Sequence, residues 1–239
     1  MIDSIIFLFA SFIAAIAATL AGFGSSTVLI PVALLFMDLK TAVFFVACFH
    51  LFNNIFKIRI FWDKIDRRIF LLFGIPSIVC AFIGARLISL IPVDTIKRIL
   101  ALFLMVFSIY SLIKPKFVIK KTKAAALVGG GLSGFLAGLI GLGGAVRATF
   151  LIAFNLAKEA YVGTSAMIAL VVDLTRIPTY LLTRVVQDAS YYILLPFLVV
   201  SAYCGVKTGK VLLGKISQDV FRRVVLAALL LVGIKYLLI

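Results

Sequence analysis

Two stretches of this chain break an apolar run with glycine and follow the break with groups able to hold an anion. One reads AGFGSSTVLIP at 21–31 and the other LIGLGGAVRATF at 139–150. Interrupting a helix frees backbone N–H groups, and the next helical segment begins with the positive end of its dipole. Together these make an anion site in outline. In the first break Gly24 offers an uncovered amide, while Ser25, Ser26 and Thr27 either cap the following helix or donate hydroxyls to a ligand. In the second, Gly143 and Gly144 offer amides, and Arg147 brings a full positive charge into the first turn. Two plainer roles compete: the glycines as sites of close helix contact, and Arg147 as a partner of Glu159 or of the membrane interface. An arginine at the centre of a membrane helix costs about 2.5–3.5 kcal/mol, so some compensation is expected.

A second constellation follows each break. His50, Asn54 and Lys57 are spaced by four and three, which makes one stripe of a helix, and Ser165, Ala169, Asp173 and Arg176 form the equivalent stripe later in the chain. Thr164 stands beside the second stripe. Asp173 follows seven apolar residues, and two roles are open to it: a carboxylate that carries a coupling proton, or a fixed partner that neutralises Arg176. Asn54, its uncharged counterpart, suits hydrogen bonding to a ligand. His50, the one histidine, is either a bonded core residue or a switch. Cys48, Cys80 and Cys204 lie in apolar segments without CxxC spacing, so neither a disulfide nor a metal site is expected, and no cofactor is.

The elements that position these groups must be membrane helices. Of the 239 residues, 64% are hydrophobic and 14% charged, with a mean hydropathy of +1.24, against roughly 45–50% apolar content in a soluble domain. Apolar runs approach the ~20 residues that cross a bilayer and recur along the whole chain. They divide into about ten segments, near 4–20, 26–37, 41–61, 68–91, 94–113, 124–141, 145–156, 160–183, 189–213 and 218–239. The second and seventh are too short to span and must be half-helices or re-entrant elements, tolerated where protein or a polar cavity receives their ends. The net charge of +15 lies in short loops, which points to an anionic membrane leaflet and away from nucleic acid. The first apolar run carries Asp3 and no basic residue before it, so it reads as a retained membrane segment and not as a cleaved signal.

The chain also resembles itself. Gly22 and Gly141, Gly24 and Gly143, Ala47 and Ala166, Leu51 and Leu170, Asn54 and Asp173, Lys57 and Arg176, and Ile58 and Ile177 are each separated by 119. IPSIVCAFIGAR is answered by LPFLVVSAYCGVK, and DTIKRILAL by DVFRRVVLA. The expected fold is therefore an all-α polytopic membrane protein with two repeats, inverted in orientation, of about five helical segments each. The first repeat occupies 1–113, a basic cytoplasmic connector 114–123, and the second repeat 124–239. Loops at 57–68, 114–123 and 210–217 hold more Lys and Arg than those at 92–98 and 184–190, which places the first set in the cytoplasm and both termini outside.

AGFGSSTVLIPVALL and AGLIGLGGAVRATFLIAF resemble the paired glycine-rich motifs of the sulfite exporter TauE/SafE family, also called the toluene sulfonate uptake permease family. FHLFNNIFKI and GTSAMIALVVDLTRIP look like the helices that follow those motifs. The resemblance covers essentially the whole chain in two copies. It implies a small carrier of the cell membrane for sulfur oxyanions, organosulfonates or carboxylates, driven by a proton or ion gradient. Ser25 and Ser26 stand where many members carry further glycines, and Ala145 follows only two, which bears on the particular substrate.

The expected function is thus secondary active transport of a small anion by alternating access. Its partners are that anion, a coupling proton or ion and the lipid bilayer, with room left for a homo-oligomer. The other classes open to the sequence are a partner-dependent permease subunit and an anion channel. An enzyme is not expected: Cys48 has Met167 as its counterpart and no paired thiol, and a lone histidine two residues from it is not placed as a catalytic base.

Overall fold

The computed structural model describes residues 2–21, 24–114, 119–186 and 189–212, together with 226, 227, 229–231, 233–235 and 237. Gly22, residues 219–225 of the DVFRRVVLA segment and parts of the 114–123, 184–190 and 210–217 loops lie outside the described residues. Within them the chain is helical: α1 Ile2–Ala21, α2 Ser25–Ala33, α3 Leu39–Phe61, α4 Arg67–Leu90, α5 Val93–Ile113, α6 Lys123–Ile140, α7 Gly143–Leu151, α8 Lys158–Leu182 and α9 Leu195–Leu212. Among the described residues, six helical stretches are long and apolar enough to cross a membrane. The chain is a multi-pass, all-α membrane protein.

Helix boundaries follow local chemistry. Asp38 caps α3 by accepting from the amides of Lys40 and Thr41, Asp66 caps α4 through Ile69, and Thr122 caps α6 through Ala125. Helices α5 and α8 instead carry an acid, Asp94 or Glu159, in the first turn. The two short helices have neither device: α2 and α7 begin without a side-chain cap and without an acidic residue in the first turn. Each is nine residues long, about 14 Å at 1.5 Å per residue and well short of a ~30 Å hydrocarbon core. Helix α6 stops at Gly141, whose φ of 75° ends the helical path.

The outward faces of α4 and α5 are apolar, with Ile75, Val79 and Phe82 on one and Leu102 and Val106 on the other exposed, as lipid contact requires. Between helices, small residues permit close approach. The GGGLSGFLAG segment lies on α6 and faces α4, where a Cβ placed on Gly134 would fall 2.2 Å from the Ser77 carbonyl oxygen. Helix α1 meets α9 in a comparable way, with Gly205 on Ala15 and the hydroxyls of Ser11 and Ser201 bonded to each other. Helices α3 and α8 pack on each other at the centre. They bring both polar stripes inside, where His50, Asn54, Lys57, Ser165, Asp173 and Arg176 are all buried.

Candidate functional site

The two glycine breaks meet. Gly24, at φ 81°, precedes α2, and a Cβ placed on it would lie 3.1 Å from Gly144 Cα, 3.6 Å from His50 Nε2 and 3.7 Å from an Arg147 Nη. A side chain at Gly24 would crowd the backbone of the second break. Beside the meeting point is a small hollow lined by Gly24, Asn54, Lys57, Arg147 and Ser165, with Ala18, Val162 and Ala166. It has about 10 Å³ of space for the centre of a water-sized sphere, close to what one water needs.

Arg147, expected in the first turn, is the fifth residue of α7, one turn on from Gly143, and is 3% exposed. Its Nε donates to Ser165 Oγ at 3.0 Å. Glu159 is exposed at the start of α8 and makes no ion pair with it. Among the described residues no carboxylate comes within ion-pair distance of Arg147 or of Lys57, which is likewise 3% exposed. The same hollow therefore holds two basic side chains and no acid.

Asp173 sits differently. It is the one buried carboxylate among the described residues, and it is fully engaged. Arg176 Nε donates to its Oδ1 at 2.9 Å and an Nη of the same guanidinium lies at 2.8 Å, while His50 Nδ1 is 2.8 Å from Oδ2. Asn54 Nδ2 donates to the His50 carbonyl at 2.8 Å and reaches Asp173 Oδ2 at 3.4 Å. Arg176 also donates to the Ala137 carbonyl at 2.7 Å, and the Tyr180 hydroxyl donates to the Gly138 carbonyl. Both carbonyls belong to the last turn of α6, whose final four lack partners within the helix. The acid–base cluster is thus tied to the end of the helix that precedes the second break.

Two atoms near the breaks and one more side chain remain unused. Among the described residues, Ser25 Oγ and His50 Nε2 are buried without a hydrogen-bond partner, as are both amide atoms of Asn53, on the same face of α3 as His50 and Lys57. A native interior leaves few polar atoms in this condition. Ser25 does not cap α2, although its position in the sequence allowed it. Ser26 and Thr27 follow it into the helix and are buried.

Two expected site residues are placed elsewhere. Gly143 seats α7 on α6, with Ser133 and Ala137 where its Cβ would be, so Gly144 is the glycine that faces the first break. Thr164 does not line the hollow. Its hydroxyl accepts from the Asp66 amide at 2.9 Å and fixes the start of α4, because one step along α8 turns it about 100° away from Ser165. Lys57 was visible as part of the α3 stripe but not as a member of the hollow. The signal was its place one turn below Asn54 with no acid in its own segment.

Among the described residues no group of three or more His, Cys, Asp or Glu side chains could hold a metal ion. A search of curated proteins returned no match. The profile of the family described as sulfite exporter TauE/SafE matches residues 7–236, nearly the full chain and both glycine breaks. The protein belongs to the sulfite exporter TauE/SafE family of membrane proteins, which are transporters and not enzymes.

Proposed function

We propose that the protein is a secondary active transporter of the cell membrane that carries sulfite, organosulfonates or related small anions by alternating access. One observation carries this reading: Arg147 is buried one turn into an uncapped half-helix, at the meeting of two breaks, without a carboxylate partner among the described residues. A guanidinium so placed needs a negative charge, and a mobile anion supplies it. The amides around Gly24 and Gly144, the Ser25 hydroxyl, and His50 Nε2 in its protonated form complete the donor set for anionic oxygens. Ser26, Thr27, Asn54 and Ser165 support them.

The two-repeat organisation, 1–113 and 124–239 about a basic 114–123 connector, explains how the breaks come to face each other, and inverted repeats give each side of the membrane an equivalent gate. Contacts occur in exchanged pairs, α1 with α9 and α6 with α4, which supports that reading. The hollow is narrow, so an oxyanion of several heavy atoms enters as the repeats part. That enclosure favours a carrier over an open channel.

Asp173 is the proposed coupling group, with Arg176 as its counterion. A proton taken up by the Asp173–His50 pair is felt at Gly24 through the far nitrogen of the imidazole.

The test is uptake of sulfite and methanesulfonate by the purified chain in proteoliposomes, with and without a pH gradient. Saturable, gradient-stimulated uptake that is lost in Arg147→Gln is expected. Nonsaturable flux, or full activity in Arg147→Gln, would overturn the reading.

A further inference from the structure

We propose that Lys57 is a second anion-binding group and that the hollow takes a compact, doubly charged oxyanion in preference to a singly charged one. The inference rests on the anion-site reading above and goes further by counting charges at the site.

Lys57 and Arg147 line one hollow, each 3% exposed, and neither has a carboxylate within ion-pair distance among the described residues. The one buried carboxylate nearby is already taken: Asp173 is held by two guanidinium nitrogens of Arg176 on one oxygen and by His50 on the other. It has no further capacity to balance a cation across the hollow. The remaining groups that face the hollow, Asn54 from α3 and Ser165 from α8, are neutral.

The repeat makes the assignment sharper. Lys57 and Arg176 are equivalent positions, separated by 119 like Asn54 and Asp173. In the second copy the cation has an acid three residues before it and spends its remaining donors on the Ala137 carbonyl. In the first copy an asparagine stands where the acid would be, so the cation is left unbalanced. One member of the pair holds the fold together, and the other is free for a ligand.

Two like charges at the edge of one small, poorly hydrated space repel each other, and opposite charge placed between them is felt more strongly there than in water. A monoanion neutralises one and leaves the other. A dianion neutralises both. The narrowness of the hollow favours a compact group, with both charges on one set of oxygens, over a long molecule with charges at each end.

The experiment measures inhibition of sulfite uptake in proteoliposomes at neutral pH by thiosulfate and sulfate, which are dianions, and by methanesulfonate, which is a monoanion. In the wild-type chain the dianions are expected to compete at least about tenfold better. Lys57→Met should collapse that ratio towards one, and Lys57→Arg should restore it. A ratio unchanged in a Lys57→Met protein that elutes as a single species would overturn the inference. So would a wild-type protein that prefers methanesulfonate. If Lys57→Met does not fold, Lys57→Gln and the wild-type ratio carry the test. Failure of the underlying reading is seen separately, as uptake that survives Arg147→Gln; loss of uptake in that variant with an unaltered ratio in Lys57→Met rejects the Lys57 assignment alone.

Discussion

Gly24 and Gly144 touch: a methyl group on Gly24 would stand 3.1 Å from Gly144 Cα, and the Gly24 backbone has a φ of 81° that side chains rarely accept. Alanine at position 24 therefore faces two penalties, a backbone conformation costing about 1–3 kcal/mol and a steric push on the opposite break. Gly24→Ala is expected to melt several degrees lower in detergent and to lose more than about tenfold in sulfite uptake, because the breaks are forced apart. Wild-type uptake in Gly24→Ala would show that their contact is not needed for transport.

Helix α6 offers an internally controlled comparison. A Cβ on Gly134 would lie 2.2 Å from the Ser77 carbonyl oxygen of α4, a backbone atom that cannot yield, whereas at Gly131 the nearest atom is Cys80 Sγ at 3.4 Å. Gly134→Ala should cost about 1–3 kcal/mol by overpacking, while Gly131→Ala should be near neutral. Thermal melting of the purified proteins distinguishes the two. Equal melting temperatures would mean that α4 and α6 can separate without loss.

Much of this arrangement is readable before folding, because length and polarity are local properties. The runs at 26–37 and 145–156 are too short to span, and both become nine-residue helices flanked by breaks. The stripes His50–Asn54–Lys57 and Ser165–Asp173–Arg176 follow from helical spacing, and burial of all six residues bears out their common facing. Partnerships across the chain are not local. Nothing near Thr164 announces that its hydroxyl receives the Asp66 amide, nor does anything near Arg176 reveal the Ala137 carbonyl 39 positions away. The isolation of Lys57 is the clearest case: an absent partner is visible only once every neighbour has been placed.

The Asp173–Arg176 pair should behave as a buried unit. Both groups are almost fully buried, and Arg176 is bonded to Asp173 and to Ala137. Asp173→Asn leaves the guanidinium without its countercharge, which typically costs about 3–5 kcal/mol. Adding Arg176→Gln removes the orphaned charge, so the double variant should melt above Asp173→Asn. If the double variant melts at or below the single one, Arg176 is held by the Ala137 carbonyl of α6 and not by the acid. Where Asp173→Asn folds, proton-driven accumulation should vanish while substrate counterflow survives; unchanged accumulation would remove Asp173 from coupling.

Ser165 tests whether the position of the Arg147 guanidinium matters as well as its charge. The serine hydroxyl accepts from Nε at 3.0 Å, and one terminal nitrogen of the same guanidinium lies near Gly24. Ser165→Ala removes that acceptor without altering the charge. A lost hydrogen bond to a charged group costs about 1.5–3 kcal/mol in general, and the flexible side chain recovers part of that by turning to other partners. The half-saturating sulfite concentration should therefore rise about five- to tenfold, with little change in maximal uptake, and Ser165→Thr should retain most of the affinity. Arg147→Lys keeps the charge but has no Nε to anchor and no fork to present, so it should weaken binding more than Ser165→Ala does. The opposite order, with Arg147→Lys close to wild type and Ser165→Ala inactive, would assign the site's selectivity to the serine hydroxyl and leave Arg147 as a point charge.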